Sequence, residues 1–416
     1  MEIFFANPYR PGAGHMPPYL AGRDREQAEF RKLLEQDVIL SNVVLTGLRG
    51  VGKTVLLDRF RDIAREAGWK WVGTDVSEST SLTEERIVTR LLADLAVVTS
   101  QIEIGSKETR AKIGFLAERT RQRQTLDYEL LVRIHDATPG LPSDKLRAVL
   151  EFAWQVMSPQ ELVFAYDEAQ NLADHAEDKQ FPLALLLDVF QSIQRRGVCF
   201  MLILSGLPTL FPKLVESRTF SERMFRVFNV ERLDEESSRE AIVRPLERAP
   251  ERFTDASVQK IIEVSEGYPY FIQFFCREAF DVVLRGPKEG PQEIPIPDLL
   301  RKLDNDFFMG RWARTTDRQR ELLALAAQVE HDDDEEFTVQ EIVERSRAVS
   351  AKPFSNSHVN QMLGTLCDAG LVYKNRHGKY SFAVPLFGSF VRRQVEGDEA
   401  ARRSAGGKKK RAKKPR

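Results

Sequence analysis

The sequence predicts an α/β fold in which a parallel sheet is sandwiched by helices, followed by a small all-helical domain and a C-terminal winged helix-turn-helix. Three observations carry this. Short, near-continuous apolar runs alternate with amphipathic helical segments up to about residue 233, the pattern of strands buried on both faces. Beyond residue 233 the strand runs stop and helical periodicity takes over. Near the C-terminus three helical segments precede LVYKNRHGKYSFAV (371–384), which reads as a β-hairpin turning at 376–378.

Residues 1–17, rich in Pro and Gly, read as an extended arm. Five strands are expected, in NVVLTG (42–47), WKWVGTDVS (69–77), ELVFAYDEAQ (161–170), VCFMLILSG (198–206) and MFRVFNVERL (224–233). Helices are expected over 18–34, 53–68, 82–99, 144–157 and 181–196. GSKETRAKIGFLAERTRQRQ (105–124) carries six Lys/Arg against two Glu and reads as an exposed basic helix. DEESSREAIVRPLER, DASVQKIIEVSEG and YPYFIQFFCREAFDVVL form successive helices capped by the acids and serines before them. The domains are therefore placed at 18–233, 234–310 and 311–396, with a basic tail over 397–416.

Composition narrows the class. Apolar residues make up 42% and no apolar run approaches the roughly 20 residues of a membrane span, so no membrane partner is expected. Cys199, Cys276 and Cys367 are odd in number and scattered, which excludes a disulfide framework or zinc site and points to a reducing, cytoplasmic setting. Net charge is −1, but the stretch Arg402–Arg416 holds nine Lys/Arg and no acid, leaving about −10 on residues 1–401. A basic tail on an acidic body suits a polyanion partner.

Gly47-Leu48-Arg49-Gly50-Val51-Gly52-Lys53-Thr54 matches G-x-x-x-x-G-K-S/T in full, with a strand before it and a helix, including Val55, after it. Glycines let backbone N–H groups converge on phosphate oxygens, and the helix start points its positive end at them. Lys53 is expected to reach the β- and γ-phosphates of ATP and the Thr54 hydroxyl to bind Mg²⁺. Asp167 ends an apolar strand, where open α/β sheets place ligands, and is the expected second Mg²⁺ holder. Glu168 is placed to orient or deprotonate the attacking water. Ser205, at the end of the next strand, is placed to bond the γ-phosphate or that water.

With these segments in hand, the chain resembles the AAA+ ATPases over about 18–285, and the resemblance extends to the winged helix. PYLAGRDRE (18–26), with Leu20, is similar to the segment that grips adenine in that family. GLRGVGKT and YDEAQ resemble Walker A and Walker B, and Ser205 falls at the sensor-1 position. SRTFSERMFRVFNV (217–230) resembles the arginine-finger segment; Arg218, Arg223 and Arg226 all stay open, with Arg223 favoured. GYPYFIQFF (267–275) resembles the start of the sensor-2 helix in a helical AAA+ lid. The replication initiators carry an Arg soon after that Gly, whereas here none follows until Arg277, so Pro269 and Tyr270 are expected to pack on the adenine. The lid followed by a winged helix is similar to the replication-initiator ATPases, the DEAQ and SGLP segments to transposition-type and secretion-type ATPases, and the GYP segment to the signalling STAND ATPases.

The resemblance implies an ATPase that self-associates when ATP-bound. In the winged helix, Val359, Met362, Leu363 and Leu366 read as core. Ser355, Asn356, Ser357, His358, Asn360 and Gln361 cluster where such helices meet base edges, and Lys374, Arg376, His377 and Lys379 are candidate phosphate contacts on the wing. Double-stranded DNA is therefore one expected partner, with Lys107–Arg123 as a further basic contribution. A protein partner, with the winged helix used for autoinhibition, is the alternative.

Overall fold

The structure, a computed structural model, describes residues 6–77, 83–113, 116–157, 160–249, 252–284, 294–329, 336–376 and 378–397. The tail Arg402–Arg416, His377 and the acidic residues 331–335 lie outside them. The chain divides into two compact units: residues 23–47 with 52–230, and residues 1–22, 48–51 and 231–416.

The first unit is built on a five-stranded parallel sheet, β1 (Asn42–Thr46), β2 (Lys70–Val72), β5 (Leu162–Tyr166), β6 (Phe200–Gly206) and β7 (Phe225–Asn229), in the order β2-β5-β6-β1-β7. All five expected strands are present. The three central ones, β5, β6 and β1, are buried at every position, which is why they read as unbroken apolar runs. Helices α1 (Asp24–Leu34), α2 (Lys53–Glu66), α3 (Glu84–Thr99), α4 (Tyr128–Ala137), α5 (Pro142–Met157) and α6 (Pro182–Gln194) follow in chain order. Helix α6 buries nearly its whole circumference, with Phe190 edge-on to Phe164 at 5.4 Å.

One buried polar network lies in this core. The Tyr166 hydroxyl donates to Asp94 Oδ2 at 2.9 Å, and Arg90 reaches Asp94 Oδ1 at 2.7 Å. Burial holds the Asp94 carboxyl above its usual value against the opposing pull of Tyr166 and Arg90.

The segment expected as an exposed basic helix is instead an antiparallel hairpin of β3 (Glu103–Ile113) and β4 (Leu116–Thr125). The run has no apolar stripe at helical spacing. Ile102 and Ile104 alternate with exposed neighbours at a period of two, and Thr109 pairs with Thr120 across the ladder. Helix α4 had no counterpart in the sequence reading. Its cap, Asp127 accepting from Leu130 N–H at 2.9 Å, was the available signal.

Two short helices, α7 (Leu210–Ser217) and α8 (Ser221–Met224), separate β6 from β7. The second unit then contains α9 (Glu235–Val243), α10 (Asp255–Ser265), α11 (Pro269–Ala279), α12 (Ile296–Leu303) and α13 (Met309–Trp312). Asp234 caps α9 as expected, whereas α10 is capped by Thr254 with Asp255 already inside the helix, and α11 starts on Pro269 with no side-chain cap. A π-helical turn, Asp304–Phe308, joins α12 to α13, so the boundary expected at 310 falls inside a helical run. Helices α14 (Asp317–Val329), α15 (Val339–Val349) and α16 (Asn356–Asp368) follow, with a three-stranded antiparallel sheet of β8 (Phe337–Thr338), β9 (Val372–Arg376) and β10 (Lys379–Phe382) in the order β8-β10-β9. This is a winged helix. Phe308, fully buried, stacks on Phe390 at 5.1 Å, and Arg393 pairs with Asp304.

The N-terminal arm is docked rather than free. Tyr9 is fully buried and donates through its hydroxyl to Ile242 O at 2.5 Å, and Asn7 Nδ2 donates to Arg277 O at 2.9 Å.

Candidate functional site

The site starts at the carboxyl ends of three adjacent strands, β5, β6 and β1. Strand β1 delivers Gly47–Thr54. Gly50 and Gly52 have φ of +81° and +93°, the left-handed region that an L side chain avoids, and nothing lies within 4 Å of the position a Gly52 Cβ would take. Helix α2 begins at Lys53 without a side-chain cap and without an acid in its first turn. Its N-terminal donors and positive dipole end are thus suited to an anion. Lys53 Nζ donates to Gly47 O at 2.9 Å, and the Thr54 hydroxyl donates to Asp167 Oδ2 at 2.5 Å.

Strand β5 delivers Asp167, which is 5% exposed and accepts from Glu168 N–H through Oδ1 at 2.9 Å. Its backbone also pairs with β2's extension: Val76 N–H donates to Asp167 O at 2.9 Å, and Asp167 N–H to Thr74 O at 3.2 Å. Asp75 is therefore a cross-strand neighbour of Asp167. Burial, then the Asp167, Glu168 and Asp58 carboxylates, raises the Asp75 carboxyl above its usual value. Sequence reading passed over Asp75, although an acid just past the second strand was the signal. This carboxylate-rich edge beside the Thr54 hydroxyl is the chemistry a divalent cation favours. Among the described residues no group of three or more His, Cys, Asp or Glu is placed to hold a metal. A Mg²⁺ at this edge would rest on Thr54 and Asp167, with water and phosphate oxygens completing its shell.

Glu168 is exposed and has φ of +52°, unusual for a residue with a Cβ. Its carboxylate accepts a short hydrogen bond from Gln170 Nε2. Strand β6 delivers Ser205, whose fully buried hydroxyl has no hydrogen-bond partner among the described residues. An orphaned buried hydroxyl is costly unless something else meets it.

The three finger candidates differ. Arg218 makes a two-pronged pair with Asp188, Nε to Oδ1 at 2.8 Å and Nη2 to Oδ2 at 2.7 Å, and Arg226 pairs with Glu29. Arg223 is exposed, makes no ion pair with a described residue, and lines a groove of about 530 Å³ with Val38, Leu40, Gln191, Phe220 and Met224.

Residues 48–51 of the glycine loop cluster with the second unit. There, Tyr270 N–H donates to Gly50 O at 3.2 Å, and its ring leans on Phe307 at 5.1 Å. Pro269 opens α11 just before it, and Leu20 is half-buried in the coil ahead of α1. Arg277 is occupied, donating to Tyr9 O at 2.9 Å. A different arginine, Arg311, stands near Arg49: burial first, then the Arg49 charge, lowers its guanidinium below the usual value. Arg311 lies over the Phe307 ring at 4.6 Å. Nothing in the GRWAR run marked it beforehand.

In the winged helix, Val359, Met362, Leu363 and Leu366 are buried, as expected of core positions, while Ser357, His358, Asn360 and Gln361 are exposed. Ser355 caps α16 by accepting from His358 N–H at 3.3 Å. Lys374 is exposed, but Lys379 is committed to the buried Glu336 at 3.0 Å and so offers less charge to a phosphate.

Comparison with known proteins is consistent with this geometry. Residues 19–202 match the AAA ATPase domain family, and residues 305–391 match a domain of unknown function. A relative described as an uncharacterized HTH-type transcriptional regulator of Methanocaldococcus jannaschii is 23% identical over 375 residues, covering 86% of this chain and 85% of its own. The fold is similar to that of the Walker-type ATPase of Pyrococcus abyssi, with a TM-score of 0.55 and 16% identity over 90% of this chain and 96% of that one. It is also similar to the ADP form of the Aeropyrum pernix ORC2 protein, with a TM-score of 0.52 and 17% identity over 92% and 97%.

Proposed function

We propose that this chain, in which residues 19–202 form an AAA ATPase domain, binds and hydrolyses ATP and couples its nucleotide state to the assembly of a complex on DNA through the winged helix. The observation that carries the reading is the convergence, at three neighbouring strand ends, of the glycine loop with Lys53 and Thr54, the Asp167–Glu168 pair and the orphaned Ser205 hydroxyl. In this reading the loop amides, together with Gly47, Leu48, Arg49, Gly50, Val51, Gly52 and Val55, hold the triphosphate, and Lys53 exchanges the Gly47 carbonyl for phosphate oxygens. Thr54 and Asp167 would hold a Mg²⁺, which would supply positive charge to offset that of the phosphates. Glu168 takes the proton of a water whose oxygen bonds the γ-phosphorus as the bond to the β–γ bridging oxygen breaks. Ser205 donates to that water or to a γ-oxygen. Leu20, Pro269 and Tyr270 lie against the base. Arg223, without a partner among the described residues, completes the site of a second copy, so the ATP-bound state is oligomeric.

The decisive measurement is steady-state ATP turnover of Glu168→Gln and Lys53→Ala. Loss in both, with nucleotide binding lost in Lys53→Ala alone, is the expected result. Turnover unchanged in Glu168→Gln removes Glu168 from the mechanism.

One observation favours a second reading, a STAND-like switch with the winged helix used for autoinhibition or protein contact. A Cβ on Gly370, which follows α16, would lie 3.2 Å from the Arg49 guanidinium, so winged helix and glycine loop touch. Titration with double-stranded DNA at two salt concentrations separates the two. Salt-sensitive binding that persists without residues 402–416 supports the DNA role, and absent binding supports the switch. Among the described residues no helix is long and apolar enough to cross a membrane.

A further inference from the structure

The Glu168 carboxylate does not stand alone. Glu168 leads into a 3-10 turn, Ala169–Asn171, closed by Asn171 N–H donating to Glu168 O at 3.0 Å and pinned by Asn171 Nδ2 to Val76 O at 2.8 Å. Lys213 Nζ holds the Gln170 carbonyl at 2.7 Å, which fixes the backbone that carries the Gln170 side chain. The side-chain amide then acts at both ends. Nε2 donates to Glu168 Oε2, and Oε1 accepts from Leu207 N–H at 3.1 Å. The partners set the orientation of the amide, because a main-chain N–H needs an acceptor and a carboxylate needs a donor. No carboxylate, thioether or alkyl group of that size could serve both.

The far end of this strut is tied to the glycine loop. Leu207 follows Ser205 and Gly206 at the exit from β6. The Gly206 carbonyl accepts from Gly47 N–H at 3.3 Å, and the Leu207 carbonyl accepts from the Thr46 hydroxyl at 3.2 Å. A continuous path of three hydrogen bonds therefore runs from the start of the glycine loop, through the turn after β6 and the Gln170 amide, to the Glu168 carboxylate, with the Thr46 hydroxyl bracing the same turn in parallel. Gly206 belongs to the same device: a Cβ there would sit 2.6 Å from Gln170 Oε1.

We infer that Gln170 is a positioning residue, which fixes the Glu168 carboxylate beside the β6 exit and makes its placement depend on the glycine loop; this rests on the reading of Glu168 as the group that orients the attacking water. The side chain of Glu168 has several rotatable bonds, and its backbone is in a sparsely populated conformation. Among the described residues the Gln170 amide is the side chain that braces it, and in-line displacement is sensitive to such placement.

The test uses the full chain in four variants: Glu168→Gln, Gln170→Met, Gln170→Glu and the double variant Glu168→Gln/Gln170→Met. Turnover, affinity for a fluorescent ATP analogue, and melting temperature are measured on each. Gln170→Met is expected to lower kcat on the order of 10²-fold, the scale of a misplaced catalytic group, with analogue affinity within about twofold of the parent, since only the transition state has lost an interaction. Gln170→Glu is expected to fail equally, because it keeps the acceptor for Leu207 and loses the donor for Glu168. The double variant is expected to be no slower than Glu168→Gln, because a residue acting through another adds nothing once that other is gone. Normal or faster turnover in Gln170→Met while Glu168→Gln is inactive overturns the positioning role alone. So does a multiplied defect in the double variant, or a parallel loss of affinity and melting temperature. Normal turnover in Glu168→Gln overturns the underlying assignment of Glu168, and the inference with it.

Discussion

On the proposed function, a single methyl group at Gly206 is expected to slow ATP turnover without touching nucleotide. Gly206 closes β6 and has an ordinary backbone conformation, so alanine meets no φ penalty there. The obstacle is space. The new Cβ would lie 2.6 Å from Gln170 Oε1, 3.0 Å from Leu210 Cδ2 and 3.2 Å from the Gln170 backbone nitrogen. The first two contacts are side-chain ends that can swing away, but the third is backbone and yields only by a few tenths of an ångström. The amide must therefore rotate off Leu207 N–H and release Glu168. Overpacking of this kind costs about 1–3 kcal/mol, and a stranded main-chain N–H adds about 1–3 kcal/mol if water cannot reach it. The fold, with a large apolar core on both faces of the sheet, survives that loss. Turnover is expected to fall on the order of 10²-fold through displacement of the carboxylate, with affinity for an ATP analogue retained. Urea unfolding, analogue binding and steady-state turnover on one preparation measure all three. A Gly206→Ala protein that unfolds earlier yet turns over ATP at the parent rate would refute the reasoning, because the amide would have moved without consequence.

Other residues give independent checks. Gly73→Ala is expected to cost more than about 4 kcal/mol, since φ is +127° and the new Cβ would sit 1.8 Å from the Ala165 carbonyl; a thermal melt within a few degrees of the parent would contradict this strand pairing. Asp94 titrates above its usual value because burial outweighs Tyr166 and Arg90, so its contribution is fully present below the unfolded value of 3.8 and is lost as pH rises through the higher folded value. Asp94→Asn should therefore gain on the parent in relative stability as pH climbs through that window, read by urea unfolding at several pH values; a pH-independent difference would remove the assigned cause. Arg223→Ala is expected to lower turnover about 10³-fold if it acts on a neighbouring copy, whereas Arg218→Ala, more than a third exposed and paired in cis, should change stability by no more than about 1 kcal/mol. The reverse pattern in turnover would move the assignment to Arg218.

Much of the architecture could be read directly because the signals were local. Gly47–Thr54 matches an eight-residue pattern whose geometry depends on its own glycines, and the three central strands β1, β5 and β6 announce themselves through unbroken burial. The hairpin β3–β4 escaped because its sequence is rich in polar and charged residues, so composition suggested exposure while the alternation of Ile102 and Ile104 hinted at pairing. Asp75, Gln170 and Arg311 escaped for a different reason. Each acquires its meaning from a partner far along the chain: Asp167 lies 92 positions from Asp75, Leu207 lies 37 positions from Gln170, and Arg49 lies 262 positions from Arg311. Long-range juxtaposition is set by strand order and helix packing, which no linear motif records. The winged helix sits between these cases. Its helices and wing were legible from periodicity, but the neutralisation of Lys379 by a buried Glu336 was not.

The stacking of Phe308 on Phe390, with Arg393 gripping Asp304, has a mechanical consequence. Helix α12 runs through a π turn into α13 without a break, so the run from Ile296 to Trp312 holds together as one helical segment. Any rocking of the helices around Asp304 would therefore pull directly on Phe390 and Arg393, coupling this helical run to the residues that follow β10.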